Sequence, residues 1–145
     1  MRNSYLPMIL ISGIVAVVAY AGVRYDRSSV SRGAYIVNRV SMCTDCHTPT
    51  TANGAKDTTR MLAGAPIGFR PIARVRNWSN FAPNLTPAGF LKGWSDSDLS
   101  KFLMTGLTPR GNRADPPMPP FRLSKTDAQG VTAYLRSLPP VQTRR

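Results

Sequence analysis

Apolar residues in this chain fall into one unbroken run and three periodic stripes. The run, Tyr5 to Val23, is 19 residues without a charge, and a helix of that length crosses the hydrocarbon layer of a bilayer. After it, Val30, Gly33, Val37 and Val40 recur at helical spacing behind Ser28 and Ser29, either of which can cap, predicting a helix over 29–40. Leu99, Phe102, Leu103 and Gly106 form the second stripe. Its helix is predicted to begin at Ser95, which has Asp98 three residues on as a start signal, and to end at Gly106, a natural left-handed terminator. Val131, Tyr134, Leu135 and Leu138 form the third, in a helix that follows Ser124 and Thr126, runs to about Ser137 and stops at Pro139. No strand alternation stands between the stripes. The pattern predicts an all-α domain of three main helices behind one N-terminal transmembrane helix.

With 145 residues, the chain fits one core plus one appendage. The expected boundaries are a membrane anchor at 1–24, a short linker at 25–29, a domain over 30–140 and a basic tail at 141–145. Ala19-Tyr20-Ala21 also fits a signal-peptidase site, so cleavage after Ala21 is the alternative to retention of the anchor. The flanking charges, Arg2 on one side and Arg24 and Arg27 on the other, do not orient the segment.

Charge narrows the partners. A formal net charge of +12 arises from Arg and Lys set against Asp alone, with no Glu, and it attracts an acidic protein face or acidic lipid. Nucleic acid is not expected, because the basic residues stand singly or in loose groups such as Arg70, Arg74 and Arg76 without interleaved aromatics.

Both cysteines and the sole histidine lie together in "SMCTDCHTP", as Cys43, Cys46 and His47. Two thiols at this spacing suit a redox dithiol, half of a zinc site, covalent haem attachment or an incidental pair. Zinc needs about four N or S ligands, and no Cys or His remains to complete the set. A dithiol of the thioredoxin kind needs a sheet-and-crossover scaffold, of which the pattern shows nothing. Haem c needs two thiols for two vinyl groups and an adjacent imidazole for the iron, and these three residues meet that need. One covalent haem c is therefore expected, with His47 as the proximal ligand. Carbonyls around Pro49 are the expected acceptors of the other imidazole N–H.

The strings "RGAYIVNRVSMCTDCHTP", "FAPNLTP", "GWSDSDLSKFLMTG", "PPMPPFR" and "VTAYLRSLPP" occur in an order that resembles the class I c-type cytochromes. The resemblance covers about residues 30 to 140, departs most between Ala52 and Asn80, and is greatest to single-haem modules of bacterial membrane-bound dehydrogenases and respiratory complexes. It implies a cytochrome c-like fold around one haem, with Gly33 and Tyr134 at the crossing of the first and last helices. It also implies a domain outside the cytoplasm, on the periplasmic face of a bacterial inner membrane, with the N-terminus of the anchor inside.

A second iron ligand must come from elsewhere, and a methionine thioether is the usual neutral choice. Met1 and Met8 belong to the apolar run, Met42 lies beside the attachment site, and Met104 falls on a core stripe. Met61, in a loop, and Met118, fixed between prolines in "ADPPMPPF", remain. The resemblance, in which a Pro-flanked methionine before the last helix is the distal ligand, favours Met118 and holds Met61 in reserve. Trp78, Asn84 and Arg70 are candidates for contacts to the haem propionates, with turn-making the competing role for Asn84. A six-coordinate iron carries single electrons, and no acid–base pair stands out, so independent enzyme activity is not expected. The resemblance implies a membrane-tethered electron carrier, a subunit serving redox partners within a larger complex. A haem sensor or peroxidase-like protein with a labile Met118 is the alternative.

Overall fold

The computed structural model describes residues 27–143. The expected anchor at 1–24 lies outside the described residues. Among those described, no helix is long and apolar enough to cross a membrane.

Helix α1 is helical from 27 to 35 and continues into one π-helical turn, Ile36–Val40. The expected linker residues 27–29 are thus already helical. Met42 then takes a left-handed φ of 47°, which breaks the helix axis and starts the five-residue α2, Cys43–His47. Helix α3, Asp96–Thr105, has the caps that the sequence predicts. Ser95 Oγ accepts from the Asp98 N–H at 3.1 Å, and Asp98 Oδ2 accepts from the Ser95 N–H at 3.2 Å. Gly106 closes it at φ 72°, its N–H donating to the Phe102 carbonyl. Helix α4, Lys125–Ser137, is capped by Ser124, whose Oγ accepts from the Asp127 N–H.

These helices bury Ile36 and Val37 of the first element, Leu99, Phe102 and Leu103 of α3, and Ala128, Val131 and Leu135 of α4 in one cluster with Leu62 and Leu91. Met104 packs against this cluster, as its stripe predicts. The helix crossing is closer than the pairing of Gly33 with Tyr134 alone would require. A Cβ on Gly33 would stand 2.0 Å from the Gly130 carbonyl oxygen and 2.9 Å from Tyr134 Cβ, so two glycines meet and the tyrosine flanks them. Arg136 fastens α4 to the start of α3, its Nε donating to Asp96 Oδ1 at 2.8 Å and its terminal nitrogens to the Leu91 and Trp94 carbonyls.

A two-stranded antiparallel pair, β1 (Ala65–Pro66) and β2 (Phe81–Ala82), was absent from the helix-and-loop expectation. At two residues per strand it is too short for an alternating pattern to show. It closes the base of the 67–80 segment and delivers Pro83 and Asn84 to the site.

Candidate functional site

Helix α2 holds both thiols and the imidazole on one turn. Both cysteines are free thiols and half-buried, and Cys43 packs against the core cluster. Burial pushes the Cys43 thiol up to about 11, with the neighbouring Cys46 adding to the rise, which is the opposite of an activated redox thiolate. Among the described residues, no three side chains of His, Cys, Asp or Glu converge to hold a metal ion, so the zinc reading finds no further ligands there.

His47 is buried, at 4% exposure, and burial lowers its basicity against an opposing bond to a carbonyl. That carbonyl belongs to Pro83, 2.7 Å from Nδ1. This corrects the expectation of an acceptor near Pro49, whose own carbonyl is taken by the Asp57 N–H. A carbonyl can only accept, so Nδ1 carries the proton and Nε2 keeps a free lone pair. The surrounding backbone fixes the ring further. Gly64 N–H donates to the His47 carbonyl at 2.8 Å, Leu62 N–H to Thr48 Oγ1 at 3.0 Å, and Leu85 N–H to the Leu62 carbonyl at 2.8 Å. Gly64 has φ 84°, and a Cβ there would meet Asn84 N at 2.9 Å and the Ala82 carbonyl at 3.0 Å, so this brace requires glycine.

Asn84 is fully engaged within the chain. Its Nδ2 donates to the Val141 carbonyl at 2.6 Å and to Thr143 Oγ1 at 3.2 Å, and its Oδ1 accepts from the Thr86 N–H and hydroxyl, both at 2.8 Å. The side chain shapes its turn and stitches residues 141–143, which the sequence assigned to a tail, onto the domain.

Met118 is half-buried and packs against the core cluster, in a turn closed by its N–H to the Asp115 carbonyl. Met61 follows the turn Thr58–Arg60 and directly precedes Leu62 of the histidine brace. Arg70 is exposed, and with Trp78 and Asn80 it lines an open hollow of about 350 Å³. The Trp78 indole packs edge-on against Phe69 with centroids 5.7 Å apart, and its Nε1–H is buried without a hydrogen-bond partner among the described residues. Ser79 N–H donates to the Pro116 carbonyl at 2.7 Å, tying the Trp78 segment to the Met118 loop.

Two features escaped the sequence reading. Pro83 acts through a carbonyl, which every residue owns, so only its place in "FAPNLTP" marked it. Arg60 presents a second buried donor, its Nε, without a partner among the described residues, and an isolated arginine in a turn gives no signal of that. Buried donors that lack acceptors carry a desolvation cost, and an acid group seated beside them would remove it.

The chain is 34% identical over 116 residues to a diheme cytochrome c-type protein of Cereibacter sphaeroides, a match spanning 77% of this chain and 36% of that protein. It is 34% identical over 116 residues to the fructose dehydrogenase cytochrome subunit of Gluconobacter japonicus, spanning 75% of this chain and 22% of the relative. It is 30% identical over 119 residues to the cytochrome c subunit of the quinone alcohol dehydrogenase of Gluconacetobacter polyoxogenes, spanning 77% and 25%. The chain thus spans about a third or less of the length of these relatives. No protein-family model matches it.

Proposed function

We propose that this chain, a c-type cytochrome module fitting those of dehydrogenase complexes, carries electrons one at a time between redox partners on a single haem c. One observation carries the proposal: the Nδ1–H of His47 is committed to the Pro83 carbonyl, which leaves Nε2 as a fixed, neutral donor beside two free thiols. Cys43 and Cys46 would hold the porphyrin as thioethers, and His47 would bind the iron. Met118 is the distal ligand in this reading. Met61 is disfavoured because it adjoins Leu62, whose N–H is tied to Thr48 next to the histidine itself. Haem c, when bound, supplies a one-electron ferric/ferrous couple. The residues fit it in a further respect, since the unpartnered Trp78 Nε1–H, with Arg70 on the same hollow, offers a donor to an acid group of the porphyrin.

In the same reading, residues 1–24 tether the domain to a bacterial inner membrane with the N-terminus inside and the haem outside. The partner is a redox subunit with an acidic docking face, drawn to the excess of Arg and Lys.

Extraction and spectroscopy test this together. Colour that survives acid acetone, a sulfur-to-ferric charge-transfer band, and a ferrous form indifferent to carbon monoxide are expected. Complete loss of colour to the solvent overturns covalent attachment. Ready binding of carbon monoxide overturns the carrier in favour of a sensor or peroxidase-like protein.

A further inference from the structure

Between β1 and β2 the chain leaves the body of the domain as an arch, residues 67–80, and nothing in the electron-transfer reading uses its tip. The base of the arch is fixed. Ala65 pairs with Ala82 and Pro66 with Phe81, Ile67 N–H donates to the Asn80 carbonyl at 2.9 Å, and Ser79 is bonded to the Met118 loop. Among the described residues, 68–74 form no backbone–backbone hydrogen bond, and Arg76 and Asn77 make a single turn. The side chains of this stretch run against the usual economy of an exposed loop. Phe69 is 54%, Ile72 109% and Val75 38% exposed, so three large apolar groups face water within seven residues. Arg70, Arg74 and Arg76 alternate with them, all exposed, and none of the ion pairs among the described residues includes any of the three. No acidic residue occurs from Thr58 to Ser95, so no nearby carboxylate in the sequence neutralises them.

We propose that the tip of this arch, Ile72 to Arg76, seats on an anionic lipid bilayer. Arginine guanidinium groups pair with lipid phosphates through paired N–H donors, and the apolar groups between them enter the boundary between headgroups and acyl chains. Shape favours lipid over a protein face. A side chain as clear of its neighbours as Ile72 needs a matching pocket on a protein, whereas a fluid boundary closes around it without one. The complementary charge is that of acidic headgroups, which attract cations clustered at a surface. The inference stands apart from the iron chemistry and from the anchor at 1–24. It assigns only the tip of the arch to lipid, and leaves Arg70 and Trp78 to the porphyrin and the rest of the basic surface to a redox partner.

The test is hydrogen exchange of the full chain, purified with its cofactor and reconstituted into nanodiscs of phosphatidylcholine alone or with one-third phosphatidylglycerol. Any insertion by residues 1–24 is common to both lipids and cancels. The amides of 68–78 are expected to exchange roughly tenfold more slowly in the anionic discs, an advantage that shrinks as salt is raised. Arg74→Ser with Arg76→Ser, or Ile72→Asp alone, is expected to abolish that difference while exchange in α3 and α4 stays unchanged, which shows that the fold is intact. Equal exchange in the two lipids overturns the proposal, as does a difference that persists in the double variant. So does a double variant that slows electron transfer with a redox partner while protection by lipid is retained, since the arginines then serve a protein.

Discussion

The imidazole of His47 and the carbonyl of Pro83 meet at 2.7 Å across 36 residues of chain. The contact sets which ring nitrogen is free, and it is held by a segment that closes over Gly64. Gly64→Ala adds a Cβ both into that segment and at a φ of 84°, where L side chains are strained. It should destabilise the protein by about 2 kcal/mol, and the Nδ1 proton of His47, otherwise slow to exchange by NMR, should exchange faster. A ring proton indifferent to this substitution would separate the histidine from the brace.

Met118 gives a prediction specific to the distal side. In the proposed holoprotein, Met118→Ala should remove the sulfur charge-transfer band and admit carbon monoxide to the ferrous form, whereas Met61→Ala should leave both unchanged. The reverse result, read from the same spectra, would exchange the two residues' roles.

Gly33 and Gly130 lie at the tightest helix crossing, and their substitutions should differ. At Gly33 a Cβ would overlap the Gly130 carbonyl oxygen at 2.0 Å, so Gly33→Ala should cost about 3 kcal/mol in a urea titration. Gly130→Ala, whose Cβ would meet Ser29 O at 3.0 Å, should cost about 1 kcal/mol or less, because helix propensity gained offsets part of the crowding.

Asn84 ties the end of the described chain to the site. Asn84→Ala removes four hydrogen bonds and leaves the Thr86 N–H without its side-chain acceptor, for an expected loss of about 3 kcal/mol. Residues 138–143 should become cleavable in limited proteolysis before the rest of the domain.

Two carboxylates make stability fall in acid. Hydrogen bonds from Ser95 hold Asp98 below the usual carboxylate range, and the bond from Arg32 does the same for Asp127, joining α1 to α4. A folded-state pKa below the unfolded one means that the contribution is whole above about pH 4 and disappears as pH falls through the folded values. Melting temperature should therefore decline below about pH 4, less steeply in a variant carrying both Asp98→Asn and Asp127→Asn. The effect is small, because both carboxylates are near water.

The helices were readable to within a residue or two because their signals are local. Ser95 with Asp98, Gly106 and Ser124 are caps whose partners lie three or four residues away. Val37 and Val40 marked Ile36–Val40 as helix but not as a wide turn, and the five-residue α2, little more than one turn long, left no periodic trace. Within the site, Cys43, Cys46 and His47 were readable for the same reason, since covalent spacing alone brings them together.

The sequence by itself therefore determined the chemistry on offer, two thiols and one imidazole on a single turn, together with the helices and the excess of positive charge. The tertiary structure decided how that chemistry is held: the Pro83 carbonyl that fixes the imidazole tautomer, the engagement of Asn84 with Val141 and Thr143, and the Gly33–Gly130 crossing. Each of those joins residues between 36 and 97 positions apart. Spacing along a chain encodes only what one or two turns can reach, and a carbonyl or a missing Cβ has no identity until a distant segment is packed against it.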